Sequence, residues 1–392
     1  MAEEYPVKIR QWLYPASFLY GLAVNLRNKL FDWKILHSTI YSIPVICVGN
    51  IAAGGAGKTP HTEYLIKLLR DEFHVAVLSR GYKRKTKGYV LADSQSSVRS
   101  IGDESYQIKK KFPEICVAVD ADRCHGIEKL YLLRNPRIDV ILLDDAFQHR
   151  YVQAGLNILL TDYHCLYSDD VLLPAGRLRE SVSGKDRASM VIVTKCPPYI
   201  APIDYNIIIK KLALYPYQQF YFSIFEYGNL TPVFPDIQTA GKRELGSLAE
   251  DEDVLLITGI ASPARVIEEL KKHTSRIDIL SFADHHDFNK EDIALIEQRF
   301  NNLKGEKGII ITTEKDAARL ASHPKITDEI KKWMYALPIE VKFLRDQQET
   351  FNKHIMDYVR KNKRDSIFSE RKNRLETEDG YYIRYGTWQF SR

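Results

Sequence analysis

Apolar and polar positions along this chain follow two rhythms. In the first forty residues Trp12, Ala16, Leu19, Ala23, Leu26 and Leu30 recur at helical spacing, and Phe18, Tyr20, Leu22 and Val24 widen the stripe. This predicts an amphipathic helix within residues 1–40, started or kinked at Pro15. Lys8, Arg10, Arg27, Lys29 and Lys34 flank the stripe against Glu3, Glu4 and Asp32. Such a helix fits a membrane interface, with basic shoulders snorkelling to anionic headgroups, and it equally fits docking on the protein's own core.

From Val45 the rhythm changes to short β-branched runs alternating with helical stretches. Strands are predicted at Val45–Val48, Val75–Leu78, Ile115–Val119, Val140–Leu143, Ile158–Thr161 and Met190–Thr194, with helices near Pro60–Leu69 and His125–Leu133. That grammar predicts an α/β fold, a mostly parallel sheet with helices on both faces, over residues 41–215. Residues 216–250 read as an extended linker. The same grammar returns in 251–362 (Val254–Thr258, Pro263–Lys272, Ile277–Ser281, Lys290–Phe300, Gly308–Thr312), predicting a second, smaller α/β domain. The charged tail, 363–392, with Tyr381, Tyr382 and Trp388, is assigned no role.

Composition narrows the class. A chain of 392 residues with 45 % hydrophobic content has room for two α/β domains. A net charge of +5 is too mild to mark a nucleic-acid binder. Five cysteines, without a CxxC pair or a metal-like His/Cys cluster, read as reduced thiols. No apolar run reaches the length of a membrane span, and the N-terminus lacks the order of a cleaved signal. The expectation is a cytoplasmic protein that neither spans a membrane nor is exported.

The sharpest chemical signal is Val45-Ile-Cys-Val-Gly-Asn-Ile-Ala-Ala-Gly-Gly-Ala-Gly-Lys-Thr-Pro60, which runs strand, glycine-rich loop, helix. Gly54, Gly55, Ala56 and Gly57 let backbone N–H groups face phosphate oxygens at a helix N-terminus. Lys58 is placed to reach the β- and γ-phosphates of a nucleotide, and the Thr59 hydroxyl to ligate Mg²⁺. Ala52 stands where the leading glycine of the motif is usual. A phosphate loop needs a carboxylate for its metal, and Val140-Ile-Leu-Leu-Asp-Asp145 ends in two; one of Asp144 and Asp145 is expected to contact Mg²⁺.

Gly54–Pro60, Ser79-Arg-Gly-Tyr82, Gly102-Asp-Glu104, Asp144-Asp-Ala-Phe-Gln-His149, Leu173-Pro-Ala-Gly-Arg-Leu-Arg-Glu180 and Thr313-Glu-Lys-Asp316 occur in that order. Together they resemble the tetraacyldisaccharide 4′-kinase family of lipid A biosynthesis, from about Leu13 to Asp316. The resemblance implies ATP as donor, the 4′-hydroxyl of an acylated glucosamine disaccharide 1-phosphate as acceptor, and lipid IVA as product. It implies two domains closing over the nucleotide, Asp103 as base, Glu104 beside the metal, and His285 set against Asp103 across the cleft. With the N-terminal stripe, an acyl-chain acceptor leads to the expectation of a peripheral protein on the inner face of the inner membrane of a Gram-negative bacterium, with no nucleic acid and no protein partner expected. Ala146 departs from the family's glycine.

Arg80, Arg177 and Arg179, which fall in the matched motifs, and Arg123 are candidates to grip phosphate, since the guanidinium fork suits it. Each can instead pair with a nearby acid such as Asp122 or Glu180. Gln148 and His149 are candidates to line the same site, and Tyr82 to pack on a sugar ring. The competing class is a GTPase or ATPase switch acting on a protein. A guanine-reading Asn-Lys-x-Asp segment would mark it, and the nearest match, Thr194-Lys-Cys-Pro197, lacks both the Asn and the second acid.

Overall fold

The computed structural model describes residues 9–238, 241–260, 263–283, 286–303, 308–321 and 323–378. In chain order come α1 (Tyr14–Asp32), β1 (Val45–Gly49), α2 (Lys58–Leu69), β2 (Val75–Ser79), β3 (Val90–Leu91), α3 (Val98–Ile101), α4 (Asp103–Lys111), β4 (Cys116–Val119), α5 (Arg123–Tyr131), β5 (Val140–Asp144), β6 (Leu156–Asp162), β7 (Met190–Thr194), α6 (Pro202–Leu212) and β8 (Gln219–Tyr227). There follow β9 (Thr231–Pro232), β10 (Asp253–Thr258), α7 (Ala264–Leu270), β11 (Ile277–Ser281), α8 (Lys290–Asn301), β12 (Gly308–Thr313), α9 (Glu314–Ala321), α10 (Asp328–Lys331), β13 (Met334–Leu337), β14 (Ile339–Phe343) and α11 (Gln347–Glu378).

Nine strands form the larger sheet in the order β14-β8-β7-β6-β1-β5-β2-β4-β3. Its inner strands are parallel, while β3 and β14 pair antiparallel at the two edges. Successive side chains of a strand point to opposite faces, so β1 sends Ile46 and Val48 to one core and Val45 and Cys47 to the other. The first core is closed by Leu65, Ile66 and Leu69 of α2, Ile108 of α4 and Phe351, Ile355 and Val359 of α11. The second is closed by Ile127 and Leu130 of α5 and Ile208 and Leu212 of α6. Burial on both faces explains why these strands read as continuous apolar runs. The smaller sheet, β11-β10-β12-β13-β9, is parallel except for β9, with α7 on one face and α8 and α9 on the other. The expected α/β class, with helices on both faces and a second α/β unit, is what the chain forms.

Two boundaries differ from expectation. The stretch 216–250, read as a linker, contains β8, which pairs with β7 inside the larger sheet, and β9, which joins the smaller one. The stretch 339–362, read as part of the second domain, returns to the first: β14 pairs with β8, with Ile339 opposite Tyr227 and Phe343 opposite Ser223. The second unit is therefore an insertion between two adjacent strands of the first. Apolar alternation reports a strand and its faces, but not which sheet receives it.

Helix α1 docks by its small and polar side. Ser17 and Gly21 are buried, Ser17 Oγ donates to the Leu172 carbonyl at 3.0 Å, and Tyr20 Oη donates to the Arg179 carbonyl at 2.7 Å. Arg150 reaches Asp32 at 2.6 Å. The apolar stripe faces outward, with Trp12 77 %, Phe18 67 % and Leu19 67 % exposed and Leu22 and Leu26 also exposed. Among the described residues no helix is long and apolar enough to cross a membrane. Tyr381, Tyr382 and Trp388 lie outside the described residues.

Candidate active site

The glycine-rich loop leaves β1 and enters α2 through Gly57, whose φ of +83° is left-handed and favours glycine. A Cβ there would lie 2.5 Å from the Phe225 ring, so the position needs glycine twice over. The loop is held from several sides. Thr194 Oγ1, at the end of β7, donates to the Ala56 carbonyl at 2.9 Å, and buried His61 lies 2.7 Å from the Gly57 carbonyl. The segment 172–180 lies alongside: Ala53 N donates to Arg177 O at 2.6 Å and Arg179 N to Ile51 O at 2.7 Å. These backbone bonds explain what the Leu173–Glu180 motif does locally, which its sequence did not disclose.

Carboxylates gather in front of this loop. Asp144, almost fully buried at the end of β5, accepts from Thr62 Oγ1 at 3.2 Å. Burial first, then the neighbouring Glu104 and Asp145, push its carboxyl up to about 7, against the pull of Lys58. Asp145 takes a left-handed φ of +49° and turns outward, where Arg179 Nη1 reaches it at 3.0 Å and Lys58 Nζ at 3.7 Å. Lys58 Nζ also donates to Asn50 Oδ1 at 3.4 Å.

Asp103 and Glu104 open α4, where a helix N-terminus favours acids. Gly102 turns the chain into that helix at φ +85°, and a Cβ there would meet the Tyr82 carbonyl at 2.8 Å. Burial, then Asp103, raises the Glu104 carboxyl, while Lys58 and Lys315 oppose the rise. Asp103 Oδ1 accepts from the Glu104 amide at 3.0 Å, and its Oδ2 accepts from Arg319. Thus Lys58, Glu104, Asp144 and Asp145 share one electrostatic neighbourhood. His285 lies outside the described residues. Its neighbour His286 stacks on Phe282 and bonds Asp292 at 2.7 Å, the acid of the box that caps α8.

The remaining candidates divide. Arg179 is on the site. Arg177 pairs with buried Asp170 at 3.1 Å, and its backbone braces the loop. Gln148 bridges the Asn50 carbonyl at 2.8 Å to Glu180 at 3.0 Å, which links the two motifs. Arg80 and Tyr82 are exposed, whereas Arg123 is 4 % exposed, with Nη1 on the Ala121 carbonyl at 3.1 Å and no partner for Nε among the described residues. His149 Nε2 is likewise buried without a partner. Contrary to the expectation of no metal-like cluster, Asp122, Cys124 and His149 place ligand atoms within 4.8 Å of one another. Burial and then the Arg123 cation hold His149 down at about 4, with Arg27 and Arg80 adding to the effect. A pocket so crowded with guanidinium groups favours an anion over a cation.

Asn50, Thr62, Thr194 and Arg319 were not anticipated. Asn50 sits inside the loop motif, where only the glycines and Lys-Thr carry a recognised pattern. Thr62 lies one turn past Thr59 on α2, a spacing that offered a signal. Thr194 and Arg319 come from distant strands and helices and leave no local trace.

The chain as a whole is similar to known proteins. The family model described as tetraacyldisaccharide-1-P 4′-kinase matches residues 9–360. A Bacteroides fragilis protein named tetraacyldisaccharide 4′-kinase is 63 % identical over 371 residues, 95 % of this chain and 99 % of the relative. One of the same name from Porphyromonas gingivalis is 46 % identical over 365 residues, 91 % and 99 % of the two chains. The crystal structure of LpxK from Aquifex aeolicus, an "apo" form in complex with ATP, matches with a TM-score of 0.68 and 29 % identity over 89 % of this chain and 99 % of that one. Matched by the family model over residues 9–360 and by these relatives over nearly its full length, this chain belongs to the tetraacyldisaccharide-1-P 4′-kinase family.

Proposed function

We propose that the chain transfers the γ-phosphoryl group of ATP to the 4′-hydroxyl of tetraacyldisaccharide 1-phosphate, giving lipid IVA in lipid A biosynthesis. One observation carries the reading: the phosphate-loop lysine, Lys58, stands 3.7 Å from Asp145 in a site that also holds Asp144, Asp103 and Glu104. A switch protein needs the loop and one metal carboxylate; it has no use for a further acid pair on a separate helix. Family membership favours the kinase over the switch as well.

In this reading the loop amides and Lys58 hold the β- and γ-phosphates. Asp103 takes the proton of the 4′-hydroxyl, aided by His285, as the acceptor oxygen bonds to phosphorus and the bridge to ADP breaks. Arg179, Arg123 and Arg80 gather negative charge around the transferring group and the 1-phosphate, Gln148 and His149 line the same pocket, and Tyr82 packs on a sugar ring. Arg177 contributes by fixing the loop.

The donor set fits Mg²⁺. Asp144 and Glu104 are hard oxygen donors whose carboxyls are raised first by burial and then by neighbouring carboxylates, Glu104 and Asp145 for Asp144 and Asp103 and Asp145 for Glu104, a strain that a dication relieves. Thr59, Asp144, Glu104 and Asp145 are the residues that would hold it. When bound, it neutralises charge on the phosphates.

The exposed face of α1 suits peripheral attachment to the inner face of the inner membrane, where the acyl chains of the acceptor lie. The test is transfer of γ-phosphate from Mg-ATP to a detergent-dispersed acylated disaccharide 1-phosphate. Transfer by the native chain, lost in Lys58→Ala and Asp103→Ala, is expected. Nucleotide binding without transfer points to a switch.

A further inference from the structure

We infer that Arg319, carried by the second unit, is the positioning residue for Asp103. This rests on the proposed role of Asp103 as base. Arg319 is the fork between two acids. Its Nη2 donates to Asp103 Oδ2 on α4 of the first unit, and its Nη1 donates to Asp316 Oδ1 at 3.0 Å within α9. Both the Arg319 and Asp103 side chains are 8 % exposed, which shields the pair from solvent screening.

The far end of the fork is anchored to a rigid point. Asp316 is fully buried, and its Oδ2 accepts from the Gly259 amide at 2.8 Å and from Thr313 Oγ1 at 2.8 Å. Gly259 follows β10 and Thr313 ends β12, so the guanidinium hangs from the C-terminal edge of the smaller sheet. Asp103 Oδ1 is meanwhile fixed by the Glu104 amide at 3.0 Å. These contacts on its two oxygens set the plane of the carboxylate. A base is effective only within hydrogen-bond reach of the proton it removes, and this arrangement makes that reach depend on where the second unit sits.

Helices α4 and α9 run antiparallel, since Asp103 meets Arg319 while Lys111, at the other end of α4, meets Glu314 at 2.5 Å and Glu63 of α2 at 2.6 Å. The two clamps join the same pair of helices at opposite ends, and only one of them touches Asp103. That contrast provides the control.

The experiment measures kcat and the KM for ATP with the lipid acceptor, together with melting temperature, for Asp103→Ala, Arg319→Ala, Arg319→Lys and Lys111→Ala in the full chain. Arg319→Ala is expected to lower kcat roughly tenfold to a hundredfold, the scale of a small misplacement, with KM for ATP within about twofold. Lysine keeps the charge but cannot bridge both acids, so Arg319→Lys restores part of kcat. Lys111→Ala keeps kcat near native. If Arg319→Ala melts below the assay temperature, Arg319→Gln, which bonds one acid but not both, takes its place.

A native kcat in the Arg319 variant, with Asp103→Ala inactive, overturns the positioning role and leaves the base assignment standing. An equal kcat loss in Lys111→Ala overturns it too, because the effect is then loosening of the helix pair. Activity in Asp103→Ala removes the base assignment, and this inference with it.

Discussion

Arg179 Nη1 lies 3.0 Å from one oxygen of Asp145 and 3.2 Å from the other, while the Arg179 backbone holds the phosphate loop at Ile51. The side chain and the main chain of one residue therefore act on two parts of the site. Because the backbone bond survives truncation, Arg179→Ala is expected to keep nucleotide binding within a few-fold and to lower kcat by about 10²-fold, the usual scale for a lost charge-stabilising donor. Steady-state kinetics with the acylated acceptor check this. A large rise in KM for ATP at unchanged kcat would assign Arg179 to ground-state binding instead.

Glu63 and Glu314 share the single ammonium of Lys111. Burial, then the Glu314 charge, pushes the Glu63 carboxyl up to about 7 in spite of Lys111. A carboxyl raised in the folded state binds its proton more tightly folded than unfolded. Its contribution thus favours folding at low pH and turns against it as pH climbs from the ordinary carboxylate range through about 7. Glu63→Gln is expected to be more stable than the parent by about 1 kcal/mol at pH 8, with the gain gone near pH 5. Melting curves at the two pH values decide; a loss confined to pH 8 would show that the Lys111 bond outweighs the repulsion.

Phe18, Leu19, Leu22 and Leu26 are exposed on α1, and Ser17 and Gly21 dock it. Leu19→Ser with Leu22→Ser should leave the melting temperature within a degree or so, because neither leucine packs on the core. It should weaken sedimentation with anionic vesicles roughly tenfold, since each leucine contributes on the order of 1 kcal/mol when inserted. A drop in stability with unchanged vesicle binding would return α1 to a structural role.

Much of the candidate site was legible because it is contiguous. The glycine loop and Asp144-Asp145 each place their functional groups within a few residues, at the turn where a strand ends. The brace from 172–180 was visible as a motif, but its purpose depends on pairing with a loop more than a hundred residues earlier. The direction of α1 was undecidable from its stripe, which is apolar whether it faces lipid or core. The usable clue lay on the opposite side, in Ser17 and Gly21, whose small side chains permit close approach. Arg319 could not be found at all, because a pair 216 residues apart leaves no periodicity.

Phe351 is 1 % exposed and stacks on Phe343 at 4.3 Å while meeting Tyr64 of α2 and Tyr221 of β8. Phe351→Ala should destabilise the larger domain by about 3–5 kcal/mol, although it lies nearly three hundred residues past the phosphate loop. Loss of ATP binding before loss of smaller-sheet structure on warming, followed by calorimetry and hydrogen exchange, is the expected result. Simultaneous melting of both would mean the units fold as one.

The return of β14 and α11 to the first sheet has a consequence for biosynthesis. The smaller sheet, from β9 to β13, is an unbroken stretch of chain that can close while translation is still under way. The nucleotide-binding lobe starts earlier on the ribosome but cannot finish until its last strand and helix emerge, so the order of assembly reverses the order of synthesis. Throughout that interval the edge of β8 and the apolar side of α2 lack the strand and the helix that cover them, and are open to mispairing.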